Sequence, residues 1–143
     1  MKLEVRQVTE VTDSLLEAFG RLMPQLSPRL EALSGERLRA VAANPSAALF
    51  TAESGGAVVG ALTLVWYDVP SGRKAWIEDV VVDAAARGRG IGEALVREAL
   101  ALACREGVAR VMLTSNATRR AAHRLYERMG FVRYETDCFR LDL

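Results

Sequence analysis

The sequence is short of the residues that build metal centres and disulfide frameworks. It has two cysteines, Cys104 and Cys138, and one histidine, His123, in 143 residues. Two isolated thiols make neither a disulfide framework nor a zinc spacing. A single imidazole leaves too few nitrogen ligands for a protein-built transition-metal site, so no metal is expected. An excess of either charge is missing too. Nineteen basic and eighteen acidic side chains leave a formal net charge of +1. That balance gives no global field to draw nucleic acid or an acidic membrane. No apolar run reaches the roughly 20 residues needed to span a bilayer. The charged, alternating start MKLEVRQVTE is unlike a secretory signal, and a cytoplasmic protein is expected. Internal repeats and low-complexity tracts are absent.

What is present is an ordinary globular composition, 50% apolar and 26% charged. The length suits one domain with a sizeable core, expected to span 1–143. Lys2 to Val8 alternates as a strand. Thr12 or Asp13 can cap a helix with Leu15, Leu16, Phe19, Leu22 and Met23 at helical spacing, broken by Pro24 and Pro28. Ser34-Gly35-Glu36 opens a second helix that ends near Asn44-Pro45. Strands follow over Ala47 to Glu53, Ala57 to Tyr67 and Ala75 to Asp83, joined by Gly-containing turns. Then come a helix from Ile91 to Glu106, a strand from Val108 to Thr114 and a helix from Thr118 to Met129. Phe131 to Tyr134 and Cys138 to Leu141 read as closing strands. Early strands join by hairpins and later ones by helices, which predicts an α/β fold on a mixed sheet.

The stretch Asp79 to Gly92, DVVVDAAARGRGIG, organises the rest. A β-branched strand enters a glycine-rich turn and then an apolar-periodic helix. The first N–H groups of a helix have no partner within it, and the helix dipole adds positive charge there. Gly88, Gly90 and Gly92 allow close backbone approach, and Arg87 and Arg89 add fixed charge. These features predict a site for a phosphorylated ligand. The glycines do not follow the G-x-G-x-x-G spacing and no Gly-Lys-Ser/Thr follows, which disfavours a dinucleotide or nucleoside-triphosphate enzyme.

Arg87-x-x-Gly90-x-Gly92 after a strand, followed by a helix, a strand and the helix end Leu125-Tyr126-Glu127-Arg128-Met129-Gly130-Phe131, resembles the GCN5-related N-acetyltransferase (GNAT) superfamily. The likeness extends over the element order and is sharpest from Ile77 to Phe131. It implies the fold order βααβββαβαβ(β), with the mixed sheet splayed between the fourth and fifth strands. It implies acetyl-CoA as co-substrate, with its pyrophosphate on the main-chain N–H groups of Arg87, Gly88, Arg89, Gly90, Ile91 and Gly92, and Glu93 close by. The pantetheine arm would pair with Val80, Val81 and Val82 like an added strand. Tyr126 would lie near the sulfur and protonate the leaving thiolate. Many members carry an asparagine seven residues before that tyrosine. Here Arg119 holds the position and Asn116 ends the preceding strand, so both are assigned to the cofactor site by resemblance. The Thr114-to-Tyr126 string is similar to small-amine acetyltransferases, including those of aminoalkylphosphonates. Ile77 to Val82 is similar to glucosamine-phosphate acetyltransferases, so the acceptor stays open.

Transfer to an amine needs a proton acceptor, an oxyanion donor and an acid for the thiolate. Strand alternation sends Glu78 and Asp79 to opposite faces. Glu78 is the favoured base or amine anchor, with Asp79, His123 or a water path as alternatives. Glu78 can equally be an edge carboxylate paired with an arginine. By periodicity Tyr126 borders a buried stripe of Ala122, Leu125 and Met129, and a core aromatic is its other reading. His123 reads mainly as a packing residue. Arg119, Arg120 and Arg124 face either phosphates or solvent, and Trp66, Tyr67 and Trp76 either an acceptor pocket or the core. The acceptor site is expected from Gln7 to Val41 and Tyr67 to Lys74, with Leu22 to Leu26 as one wall. The expected partner is a small-molecule amine, with no nucleic acid and no membrane. Alternatives are a peptide or protein amine, and a non-catalytic acyl-CoA-binding module. An exposed last strand at Cys138 to Leu141 would invite a homodimer.

Overall fold

The computed structural model describes residues 2–143. Met1, the first residue of the expected 1–143 domain and of the N-terminal segment read above, lies outside the described residues. The elements are β1 (Leu3–Gln7), α1 (Asp13–Leu26), α2 (Gly35–Ala43), β2 (Ala47–Ser54), β3 (Ala57–Val69), β4 (Gly72–Val82), α3 (Ile91–Arg105), β5 (Arg110–Met112) and α4 (Arg120–Arg128). One turn of 3-10 helix, Ala84–Ala86, links β4 to α3. The strands stand in sequence order in one mixed sheet. The first three pairings are antiparallel and β4 with β5 is parallel.

Period-two alternation in the central strands divides the core into two layers. Phe50, Leu62, Leu64, Ala75 and Ile77 meet Leu95, Val96 and Ala99 of α3 on one face. Leu49 and Ala61 meet Leu15, Phe19 and Leu22 of α1 and Leu38 of α2 on the other. Leu22, Leu62, Leu64 and Leu95 are fully buried, each worth about 1.5–3 kcal/mol of apolar burial. The caps follow the sequence. Leu15 N–H donates to Thr12 Oγ1 (3.1 Å) and Arg37 N–H to Ser34 Oγ (3.0 Å), satisfying donors that each helix start leaves free.

Two expectations are corrected. Pro24 does not break α1, which runs on to Leu26. Proline removes one helical N–H bond, but it stands in the last turn, where Ser27 N–H donates to the Met23 carbonyl (3.2 Å) and closes the helix. The closing strands Phe131 to Tyr134 and Cys138 to Leu141 do not form. Aromatic and apolar residues supply strand propensity but not a partner. The described pairing of β5 is three residues long, and Val111 to Ser115 line a cavity of about 310 Å³ together with Val132, Arg133, Tyr134, Thr136 and Cys138 without a ladder between them. Val132, Phe139 and Leu141 are therefore exposed. The terminal edge strand on which two-fold pairing was expected is absent among the described residues.

Helix α3 lies close on β3 because Gly60 has no side chain. A Cβ there would stand 3.0 Å from Ile91 Cγ2, 3.1 Å from the Val81 carbonyl oxygen and 3.2 Å from Leu95 Cδ1. The carbonyl cannot step aside without disturbing the β4 backbone. Gly60→Ala should destabilise the fold by about 1–3 kcal/mol in urea unfolding. An unchanged midpoint would contradict this close approach.

Candidate active site

The site begins with an irregularity in β4. In its register with β3, Thr63 faces Glu78 and Ala61 faces Val81, so Asp79 and Val80 together oppose the single Leu62. This is a β-bulge, and Asp79 takes φ +51°, the one positive value among described non-glycine residues. The extra residue interrupts the alternation expected for Glu78 and Asp79. It also explains why Ile77 belongs to the α3 layer while Val81, four residues on, belongs to the α1 layer. On the opposite edge, β4 pairs with β5 only from Lys74–Arg110 to Trp76–Met112. Beyond Trp76 the two strands part, and no described strand occupies that edge of Ile77 to Val82.

The chain then enters the glycine turn. Asp83 accepts from Ala85 N–H (3.2 Å), and Arg21 lies 3.4 Å from its carboxylate. The Ala85 N–H, with Gln25 and Arg21, holds the Asp83 carboxyl below the ordinary range. Gln25 Oε1 in turn accepts from Ala84 N–H (2.8 Å), tying the end of α1 to this link. Gly88 and Gly90 have φ +81° and +75°, conformations that other residues adopt at a cost. Gly90 is the N-cap of α3 and offers no side-chain acceptor. The first helical bond is Ala94 N–H to the Gly90 carbonyl (3.0 Å). The N–H groups of Ile91, Gly92 and Glu93 thus have no partner within the helix. Gly92 lets α4 approach: a Cβ there would stand 3.1 Å from Leu125 Cδ2.

These parts enclose a cleft of about 710 Å³. Val80, Val81, Val82, Arg87, Gly90, Ile91, Gly92, Glu93, Arg119 and Tyr126, all expected from the sequence, line it together. Gly88, Arg89, Asn116 and Glu78 do not. Asn116 is engaged elsewhere, its side-chain carbonyl accepting from Thr118 N–H (2.9 Å) and Thr118 Oγ1–H (2.8 Å). Gln25 and Leu26, expected within a wall of the acceptor site, line this cleft instead, and sequence reasoning missed Thr118, Ala121 and Arg128. Arg128 could have been found from its place one turn after Leu125. The lining arginines Arg87, Arg119, Arg120 and Arg128 form no ion pair among the described residues, whereas Glu93 lies 3.6 Å from Arg97.

Tyr126 is buried and meets Phe131 edge-on, with centroids 5.8 Å apart. Burial pushes its phenol pKa up, and the Arg119 charge opposes this. Tyr126 also lines the smaller cavity, with Trp76, Ser115 and His123. There the Ser115 hydroxyl is buried without a partner. His123 Nε2–H donates to the Asn116 carbonyl (2.9 Å), which pins α4 to the preceding loop and fits the packing reading. Trp76 Nε1–H donates to the Tyr67 hydroxyl (3.1 Å). Glu78 is exposed and, among the described residues, pairs with no arginine. Partial desolvation, then the Asp79 charge, push its pKa up. No described cluster of three or more His, Cys, Asp or Glu side chains could hold a metal ion. No helix among the described residues is long and apolar enough to cross a membrane.

A carboxyl whose pKa rises on folding opposes folding once ionised. That opposition is absent below the ordinary glutamate value of 4.5 and complete above the raised folded value. Glu78→Gln should therefore raise the melting temperature slightly at pH 7 and leave it unchanged at pH 4. A gain of equal size at both pH values would contradict the raised pKa.

Comparison with known proteins agrees with this geometry. The model of the Acetyltransferase (GNAT) family matches residues 9–131. The chain is 40% identical to N-acetyltransferase 8 of Rattus norvegicus over 84 residues, 57% of this chain and 38% of that protein. It is 36% identical to the mycothiol acetyltransferase of Thermomonospora curvata over 113 residues, 77% of this chain and 37% of that protein. The chain thus spans well under half the length of either relative. A solved structure of a putative acetyltransferase from Agrobacterium tumefaciens superposes with a TM-score of 0.82 at 28% identity, covering 98% of this chain and 99% of that one. With a matched turn, a splayed sheet and a tyrosine-bearing α4, the chain belongs to the acetyltransferase (GNAT) family.

Proposed function

We propose that residues 1–143 form one N-acetyltransferase domain that moves the acetyl group of acetyl-CoA to a primary amine of a small molecule. One observation carries the reading: the uncapped glycine turn, the free edge of β4 and the Tyr126 ring open into one cleft. The residues fit the co-substrate. N–H groups at the start of α3 and the Arg87 guanidinium suit a pyrophosphate. Val80 to Val82 offer an open strand edge to the amide-bearing arm. The co-substrate supplies a thioester-activated acetyl group; the protein supplies placement and proton transfer. An N–H on the free β4 edge stabilises charge on the acetyl oxygen. Glu78, or a water beside it, takes a proton from the incoming ammonium. Its raised pKa makes it a better base than an ordinary glutamate. Tyr126, kept protonated by burial, gives its proton to the departing sulfur. The mycothiol relative supports a small-molecule acceptor.

Calorimetric titration with acetyl-CoA, followed by thiol release over a panel of amino sugars, aminoalkylphosphonates, polyamines, aminoglycosides and short peptides, tests the reading. Binding with release on one small amine supports it. Binding without turnover on any amine would leave an acyl-CoA-binding module, and release on peptides alone would move the acceptor class. Tyr126→Phe should lower kcat by about a hundredfold with acetyl-CoA affinity unchanged; undiminished turnover would remove Tyr126 as the acid. Gly90→Val, strained at φ +75°, should weaken acetyl-CoA binding while the protein stays folded by circular dichroism. Unaltered affinity would move the phosphate site away from the turn.

A further inference from the structure

The cleft holds more positive charge than its glycine turn needs. The α3 N-terminus and Arg87 face it from one side, and Arg119, Arg120 and Arg128 line it from α4. Its one lining carboxylate, Glu93, is paired with Arg97. Unpaired guanidiniums around one concavity repel one another and are relieved by an anion. The three arginines that line the cleft from α4 are not equivalent in place. Arg119 stands at the N-cap position of α4 without a side-chain capping bond, and Arg120 is the first helical residue. Arg128 is eight residues further on, about 12 Å along the helix axis. It lies one turn beyond Leu125, whose Cδ2 would stand 3.1 Å from a Cβ on Gly92. Of the three arginines that line the cleft from α4, Arg128 is therefore the nearest in sequence to the Leu125 contact at the glycine turn.

Coenzyme A carries two anionic groups on one ribose, the pyrophosphate at O5′ and a monophosphate at O3′. A pyrophosphate at the turn leaves the 3′-phosphate one sugar away. We infer that Arg128 forms a second phosphate subsite in the cleft and selects coenzyme A over its 3′-dephospho form. The guanidinium fork suits a phosphate bidentately, while its exposure keeps the effect moderate. This rests on the acetyl-CoA reading above.

The test compares the affinities of coenzyme A and 3′-dephospho-coenzyme A by calorimetry for the full chain, R128Q and R124Q. The unaltered chain should prefer coenzyme A by about tenfold. R128Q should bring the ratio to about one, leaving the affinity for the dephospho form unchanged. R124Q, on the same helix but outside the cleft lining, should keep the preference, and the preference should shrink as salt rises. Equal binding of both ligands by the unaltered chain, or equal weakening of both by R128Q, would overturn the subsite while leaving acetyl-CoA binding intact. Failure of both ligands to bind the unaltered chain would overturn the acetyl-CoA reading and the subsite with it.

Discussion

The site depends on β4 and β5 pairing over three residues and then parting. A strand in the middle of a sheet normally spends both edges on neighbours. Here Ile77 to Val82 keep β3 on one side and leave the other free. A free polar edge inside a fold would be a liability in water-excluded surroundings. It is tolerable because it faces an open cleft, where water or a ligand with amide groups can satisfy it. The bulge at Asp79 and Val80 helps to make the opening, since an extra residue bends and twists the strand that carries it.

Around that opening, glycine sets how close the elements come. Gly60 admits α3 to the sheet, and Gly92 admits Leu125 of α4 to the start of α3. Gly88 and Gly90 turn the chain through left-handed conformations and leave the helix N–H groups pointing outward without a side-chain cap. Packing and anion affinity therefore share one turn. The link from Gln25 to Ala84 and from Arg21 to Asp83 steadies it from the far layer, coupling α1 to the loop before the glycines.

The electrostatics of the cleft run in one direction. Helix N–H groups and four unpaired arginines face it against one carboxylate already paired with Arg97. The acids of β4 lie outside its lining: Glu78 is exposed and its charge is disfavoured by partial desolvation and by Asp79. Tyr126 is buried and borders both this cleft and the smaller cavity. The separation suits a polyanionic co-substrate on one side and a basic amine on the other, which is the division of labour proposed here.

Much of the fold was legible in the sequence because its signals are local. Thr12 and Ser34 are caps wherever they precede a helical pattern. Ala47 to Glu53, ahead of the Ser54-Gly55-Gly56 turn, reads as a strand, and Gly88, Gly90 and Gly92 before an apolar-periodic run mark a helix start whose first N–H groups lack helical partners. Val80 to Val82, Arg87, Arg119 and Tyr126, grouped at a cofactor site by motif resemblance, line one cleft. Pairing and long-range contact were decided by tertiary structure. Phe131 to Tyr134 and Cys138 to Leu141 read as two strands, yet no ladder forms on β5, because propensity without an adjoining edge makes no hydrogen bonds. Pro24 stays in α1 because it sits in the final turn, where one lost bond is tolerable. Asn116 turns to Thr118, and Gln25 joins the cleft across 59 residues, because each side chain takes the partner that folding brings near. By itself, the sequence determined the order of the elements as far as α4, the caps of α1 and α2 and the chemistry of the turn. Only the tertiary structure decided which strand edge stays open and which arginines surround it, since both depend on packing between residues distant along the chain.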